Sequence, residues 1–152
     1  MNENLSNAAY FTFLLGDVTY AVEVTTVKEV LPYEKVTRVP RTTDYMKGVI
    51  NIRGTVVTVI DFRVLFGIDI KPVDKNTSII VAEIQLEDGS NMTFGFIADS
   101  VNGVGSLERE PSATGTNTQF VKMLGKDGTN LVLVLDLNKI FSEVEKRLSS
   151  ET

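Results

Sequence analysis

The chain of 152 residues has no histidine, no cysteine, no tryptophan and only 4 prolines. Without cysteine there are no disulfides, no thiolate metal ligands and no cysteine nucleophile. Without histidine the commonest general base, a leading metal ligand and any phosphohistidine chemistry are gone. No G-x-x-x-x-G-K-[ST] loop occurs, and Gly103-Val104-Gly105 lacks the third glycine of a dinucleotide fingerprint. No D-x-[DN]-x-[DN]-G series brings hard oxygens together, so no metal is expected. Ser78 and Ser106 have no histidine to activate them, and the carboxylate pairs Glu87-Asp88 and Glu143/Glu145 fall in a hairpin turn and on the polar face of a helix. No catalytic residue and no cofactor are therefore expected.

Long apolar runs are also missing. Nothing approaches the roughly 20 residues needed to cross a bilayer, and the opening Met-Asn-Glu-Asn lacks the cationic start and apolar stretch of a signal peptide. A cytoplasmic protein without direct membrane insertion is the expectation. The 15 basic and 20 acidic residues leave a net charge of -5, which offers no cationic field to displace counterions from a phosphate backbone. Nucleic acid is not an expected partner. What is abundant is β-branched residues: Val, Ile and Thr supply 46 of 152 positions, which suits pleated, half-buried strands.

The apolar pattern predicts strands at 11–15 and 20–24 around Gly16-Asp17, then a short helix over 27–31, because Val27, Val30 and Leu31 fall at i, i+3, i+4 and Thr26 to Glu29 fits a capping box ahead of Pro32. Strands follow at 35–39, 46–52 and 55–60, the last two joined by Arg53-Gly54. Asp61 is placed to cap a short helix, 62–66, closed by Gly67, and 69–76 reads as a linker. Strands at 78–86 and 92–98 flank an Asp-Gly turn, 108–118 reads as a surface loop, and strands at 120–124 and 131–135 lead to an amphipathic helix over 137–148.

The chain repeats itself. Residues 58–66 match 133–141 in apolar pattern and Asp position, and 20–24 with Val27 and Val30 match 94–98 with Val101 and Val104, giving offsets of 75 and 74. Two related small β units in tandem follow, as barrels, since closure removes exposed edge strands. The expected fold is mostly β: one domain over 1–152 made of two tandem five-stranded β-barrel subdomains, 11–68 and 77–136, with short helices and the 137–148 helix packed on the body.

Gly48-Val49-Ile50-Asn51-Ile52-Arg53-Gly54, then Val59-Ile60-Asp61-Phe62-Arg63 and Phe66-Gly67, resembles the ordered signature of CheW-like chemotaxis coupling proteins. The likeness extends to Phe11-x-Phe13-x-x-Gly16, Tyr20-Ala21-Val22, Val27-x-Glu29-Val30, Val39-Pro40, Gly95-Phe96-Ile97-Ala98-Asp99 and Leu135-Asp136. It implies two SH3-like barrels and a non-catalytic adaptor, recruited to membrane receptor arrays, that couples the cytoplasmic helical tip of methyl-accepting chemoreceptors to the regulatory domain of the histidine kinase CheA. The chain departs from the family pattern in the 104–125 connection, which is several residues shorter, so contacts the family places there are not carried over.

By the same resemblance, Val27, Glu29, Gly48 and Arg53 match receptor-binding positions and Gly95 a kinase-binding position. Each also has a reading from its own chemistry. Glu29 suits position N3 of the capping box, Val27 the apolar stripe of that helix, Gly48 a backbone position needing close approach, and Gly95 exposed backbone near a strand end that supports docking. Arg53 has no conformational use in a turn, so its guanidinium is expected to meet a carboxylate, either Asp61 or Glu29 internally or one on a partner. The rival function is a small-ligand or oligonucleotide-binding β-barrel, which would show an aromatic platform beside basic residues or an apolar pocket with converging polar groups.

Overall fold

The computed structural model describes residues 9–34, 36–40, 42–110 and 120–150, with side chains as far as residue 146. Its strands are β1 (Tyr10–Leu15), β2 (Val18–Glu23), β3 (Val27–Pro32), β4 (Met46–Ile52), β5 (Thr55–Ile60), β6 (Ser78–Gln85), β7 (Asn91–Ala98), β8 (Ser100–Gly105), β9 (Glu108–Arg109), β10 (Val121–Asp127) and β11 (Asn130–Leu135). Helix α1 (Phe62–Phe66) follows β5 and α2 (Leu137–Ser150) follows β11. The mostly β architecture read from the sequence is present as two sheets, one in the order β8-β1-β2-β11-β10-β9 and the other β3-β6-β7-β5-β4.

The repeat is real, but its halves are not laid out in tandem. The β1–β2 hairpin of the first half joins β8, β10 and β11 of the second, and the β6–β7 hairpin of the second joins β3, β4 and β5 of the first. Subdomain limits of 11–68 and 77–136 therefore do not follow the sheets. The two parallel pairings show why. Val134 lies opposite Ala21 and Val59 opposite Gly95, the same pairing moved by 75 and 74 residues. Each last strand completes the sheet of the other half, which leaves two pseudo-equivalent sheets exchanging hairpins. The cap residues obey the same offset, Asp61 N donating to Tyr45 O and Asp136 N to Phe120 O, while their side chains accept one residue apart in register, from Arg63 N and from Lys139 N.

The expected helix over 27–31 is a strand. Its burial alternates, half-buried at Val27, Glu29 and Leu31 and exposed between, with a bulge after Val27, and pairing with β6 decides the matter. Only Val24–Thr26 forms a short 3-10 turn, in which Thr26 Oγ1 donates to Glu23 O. Of the strand expected at 35–39, Lys35 lies outside the described residues and the rest makes a single bridge, Thr37 to Val49. The loop expected at 108–118 begins with the short strand β9, and its residues 111–119 lie outside the described residues.

The main core sits between the sheets. Phe13, Phe62, Phe94 and Phe96 are fully buried, with the Phe62 and Phe96 rings stacked at 4.5 Å, and α2 closes one side with Leu137, Ile140, Phe141 and Val144. Burying each such side chain stabilises the fold by about 1.5–3 kcal/mol. Smaller clusters cover the opposite faces: Tyr10, Ala21, Leu107, Val132 and Val134 on the six-stranded sheet, and Val59, Ile79, Val81 and Ile97 on the five-stranded one. Part of the outer face of each sheet is thus buried as well.

Candidate functional site

The β4–β5 hairpin turns through two residues, since Ile52 pairs with Thr55, and both Arg53 (φ 49°) and Gly54 (φ 90°) are left-handed. This is the primed turn whose twist matches the flanking strands, and it favours Asn-Gly. Asn51 Oδ1 accepts from Gly54 N at 2.9 Å and supports it. Arginine at the first turn position gains nothing from the backbone, and the left-handed region costs a residue with a Cβ about 1–2 kcal/mol. Arg53 is the one described non-glycine residue at positive φ.

The guanidinium reaches across to β3, where Arg53 Nη2 donates to Glu29 Oε2 at 2.6 Å. Of the carboxylates open to Arg53 from the sequence, the structure selects Glu29, and Asp61 is engaged elsewhere. Glu29 is not a helix N3 residue, because no helix is there. The Arg53 side chain remains 75% exposed and Glu29 27% exposed. The hydrogen bond to Glu29 and its charge raise the Arg53 pKa above the usual value, so the guanidinium stays charged.

Beside the pair lies an open groove of about 350 Å³, floored by Leu31, Ile50, Ile52 and Ile79 and bounded by Pro32 and Arg53. Leu31, Ile50 and Ile52 are only half-buried on the outer cluster of the five-stranded sheet. The result is a trough with an apolar floor and polar walls at Glu34, Asn51 and Arg53, of which Arg53 is tied to Glu29.

The five site residues named from the sequence do not all converge there. Arg53 and Glu29 meet. Val27 does not join them: a bulge between Val27 and Glu29 pairs them with the adjacent residues Ala82 and Val81, so they face opposite sides of the sheet, and Val27 packs on the main core. Gly48 is buried at φ 152°, beside a bulge in β4, and a Cβ there would overlap the Thr37 carbonyl and lie 2.8 Å from Val36 Cγ1. It lets the 36–39 segment cross β4 closely and offers no side chain to a partner. Gly95 is buried in the middle of the five-stranded sheet, where a Cβ would stand 3.0 Å from Ile79 Cγ2 and 3.7 Å from Val59 Cγ2. The exposed strand-end backbone expected at Gly95 is absent.

A buried charge cluster went unnoticed in the sequence as a site. Arg63, 2% exposed, donates from Nε to Asp61 Oδ1 (2.9 Å), from Nη2 to Asp61 Oδ2 (3.0 Å), and from Nη1 to Asp99 Oδ1 (2.8 Å) and Lys71 O (3.2 Å). Asp99 Oδ2 in turn accepts from Gly16 N at 2.7 Å. Burial alone would lower the Arg63 pKa, but the bonds to Asp61 and Asp99 outweigh it and raise it. The cluster ties α1 to the single residue by which the chain passes from β7 to β8, and so joins the two sheets. The signal was a lone arginine two residues after Asp61 inside the apolar Phe62–Phe66 helix.

Among the described residues, no helix is long and apolar enough to cross a membrane. The model of the CheW-like domain matches residues 9–145. The chemotaxis protein CheW of Klebsiella aerogenes is 34% identical over 145 residues, covering 91% of this chain and 84% of that protein. CheW of Bacillus subtilis is 28% identical over 86% of this chain and 85% of its own length. Among solved structures, the scaffolding protein TtCheW of Thermoanaerobacter tengcongensis superposes with a TM-score of 0.75 at 27% identity, over 88% of this chain and 87% of that one. A family model that spans residues 9–145 and 34% identity to a CheW over 91% of the chain place this protein in the CheW-like family of chemotaxis proteins.

Proposed function

We propose that this chain is a non-catalytic adaptor that couples methyl-accepting chemoreceptors to the regulatory domain of the histidine kinase CheA, working at receptor arrays on the cytoplasmic side of the membrane. The receptor's helical tip docks over the Arg53–Glu29 pair, with apolar side chains in the trough of Leu31, Ile50, Ile52 and Ile79. A helix laid in such a groove takes its affinity from apolar anchors and its orientation from the marginal charges. The observation that carries this reading is Arg53 itself, an exposed cation kept at a left-handed turn position where the local backbone favours asparagine. Val27 and Gly48 support that face through the core and the β4 crossing. Gly95 lets Ile79 and Val59 close over β7 beneath the floor of the trough, so an effect of this position on the kinase contact is transmitted through that packing.

Such an adaptor acts by geometry: holding both partners at once lets the receptor's state bias the kinase. The test is a calorimetric titration of the folded chain with a chemoreceptor cytoplasmic fragment and, separately, with the CheA regulatory domain. Wild type binds both, and Arg53→Ala weakens the receptor fragment while leaving the kinase domain unchanged. Folded wild type that binds neither fragment refutes the proposal.

A further inference from the structure

A second groove, sharing no lining residue with the Arg53 trough, opens between the β6–β7 turn and the start of α2, with a volume of about 450 Å³. Its floor is Leu86, half-buried, and Phe141, whose ring stacks on Phe94 at 5.8 Å. Its rim is Glu87, Asp88 and Glu145, all exposed. None of these three carboxylates is ion-paired among the described residues. Asp88 Oδ1 accepts from Ser90 Oγ at 2.6 Å and from Ser90 N at 2.9 Å, bonds that lower its pKa below the ordinary value and keep it charged. Asn138 Nδ2 donates to Gln85 O at 2.8 Å and fixes one wall to the other.

The internal repeat shows what such a corner holds. In the other half, the β1–β2 turn meets α1, which ends at Gly67, and the chain then turns back with Ile68 N donating to Arg63 O at 2.8 Å. Ile68 packs against the main core and its Cγ2 stands 3.3 Å from where a Cβ on Gly16 would be. With the 75-residue offset, Phe66 corresponds to Phe141 and Gly67 to Ser142. But α2 runs on through Ser142 to Ser150, and the described chain brings no returning aliphatic side chain to the corner.

We propose that this corner docks an extended cationic segment of a partner protein carrying one large aliphatic side chain. The aliphatic group takes the place that Ile68 fills in the other half, over Leu86 and Phe141. Flanking lysines or arginines face Glu87, Asp88 and Glu145. The net charge of -5 attracts such a segment and makes its binding weaken with salt. A polyanion is repelled from the same rim.

The probe is the pentapeptide acetyl-Lys-Lys-Leu-Lys-Lys-amide, titrated into the full ¹⁵N-labelled chain and followed by amide shifts. Shifts are expected to be confined to residues 86–90 and 138–146 and to shrink at high salt. Glu87→Lys with Glu145→Lys, both at exposed positions, weakens the peptide roughly ten-fold. Replacing the peptide leucine by serine removes the localised shifts, and replacing its lysines by glutamates abolishes binding. If the serine peptide binds equally, the rim attracts cations without reading the aliphatic group and the proposal is wrong. Equal binding of the glutamate peptide, shifts elsewhere, or no shifts at all overturn it too. The two altered peptides need no protein variant, so a misfolded double mutant leaves the test intact.

Discussion

Replacing Arg63 by methionine keeps an aliphatic stem in the core and removes the cation from between two buried carboxylates. Asp61 is 2% and Asp99 7% exposed, so neither gains water in exchange. Breaking a buried ion pair from one side costs about 3–5 kcal/mol, because the remaining charge is left uncompensated. For a domain with a stability of about 5–15 kcal/mol this is a large share. At about 2–4 °C per kcal/mol for a chain of this size, the melting temperature falls by roughly 6–20 °C. The mechanism is separable from simple loss of packing by adding Asp99→Asn, which removes one stranded charge while its amide oxygen still accepts from Gly16 N. The double variant is then more stable than additivity allows, with a coupling of roughly 0.5–3 kcal/mol. Urea denaturation of wild type, both single variants and the double variant closes the cycle. An Arg63→Met protein within about 1 kcal/mol of wild type, well short of the cost of breaking a buried pair, or a strictly additive cycle, would refute the role given to this cluster.

Gly48→Ala is expected to lose at least about 1–3 kcal/mol, the cost of holding a Cβ residue in a glycine conformation, with the overlap on Thr37 added to it; thermal melts measure it. Arg53→Asn, which suits the primed turn, raises the melting temperature and loses binding of the chemoreceptor fragment, whereas a fall in both would show that arginine serves the fold. Burial raises the pKa of Tyr10, Tyr20 and Tyr33 above 10.0, with Glu23 adding to the shift at Tyr10. Their folded values exceed the unfolded ones, so this stabilisation is complete below pH 10.0 and is lost as pH rises through the folded values. Urea midpoints measured from neutral pH upward fall beyond that point, in step with phenolate absorbance.

Most strands were legible because alternation and turn residues point the same way at nearly every hairpin, whereas β8, with its two glycines, and the two-residue β9 carry no such pattern and were not read as strands. The caps at Asp61 and Asp136 and the glycine end of α1 were legible for the same reason. Residues 27–31 were misread because Val27, Val30 and Leu31 fall at helical spacing while 27 and 31 alone also fit a strand period, and only the long-range pairing with β6 separates them. The repeat could be read from the chain, yet the partner of each hairpin could not, since register within a sheet says nothing about which copy supplies the neighbour. At the site, Arg53's need for a carboxylate was visible and Glu29 stood among the candidates. The apolar-stripe reading of Val27 holds in that it packs on the main core, and a bulge between it and Glu29, invisible in the pattern, turns the two to opposite faces.

The exchange of hairpins determines how the chain folds as well as how it looks. Of nine strand pairings among the described residues, four join the halves: β1 with β8, β2 with β11, β3 with β6 and β5 with β7. A chain cut between residues 72 and 73 would leave the first piece with the β1–β2 and β4–β5 hairpins and the second with β6–β7 and β10–β11, to which β9 adds only two residues. Two-stranded hairpins are marginal in water, and the core between the sheets needs Phe13 and Phe62 from one piece and Phe94 and Phe96 from the other. Each piece alone is therefore expected to give the narrow amide spectrum of an unfolded chain. Mixed in equal amounts they recover the dispersed spectrum of the intact protein, and the recovery strengthens with concentration because cutting the connection makes assembly bimolecular. A dispersed spectrum from residues 73–152 alone would mean that this half folds as an independent barrel, and that the pairings between the halves are dispensable to it.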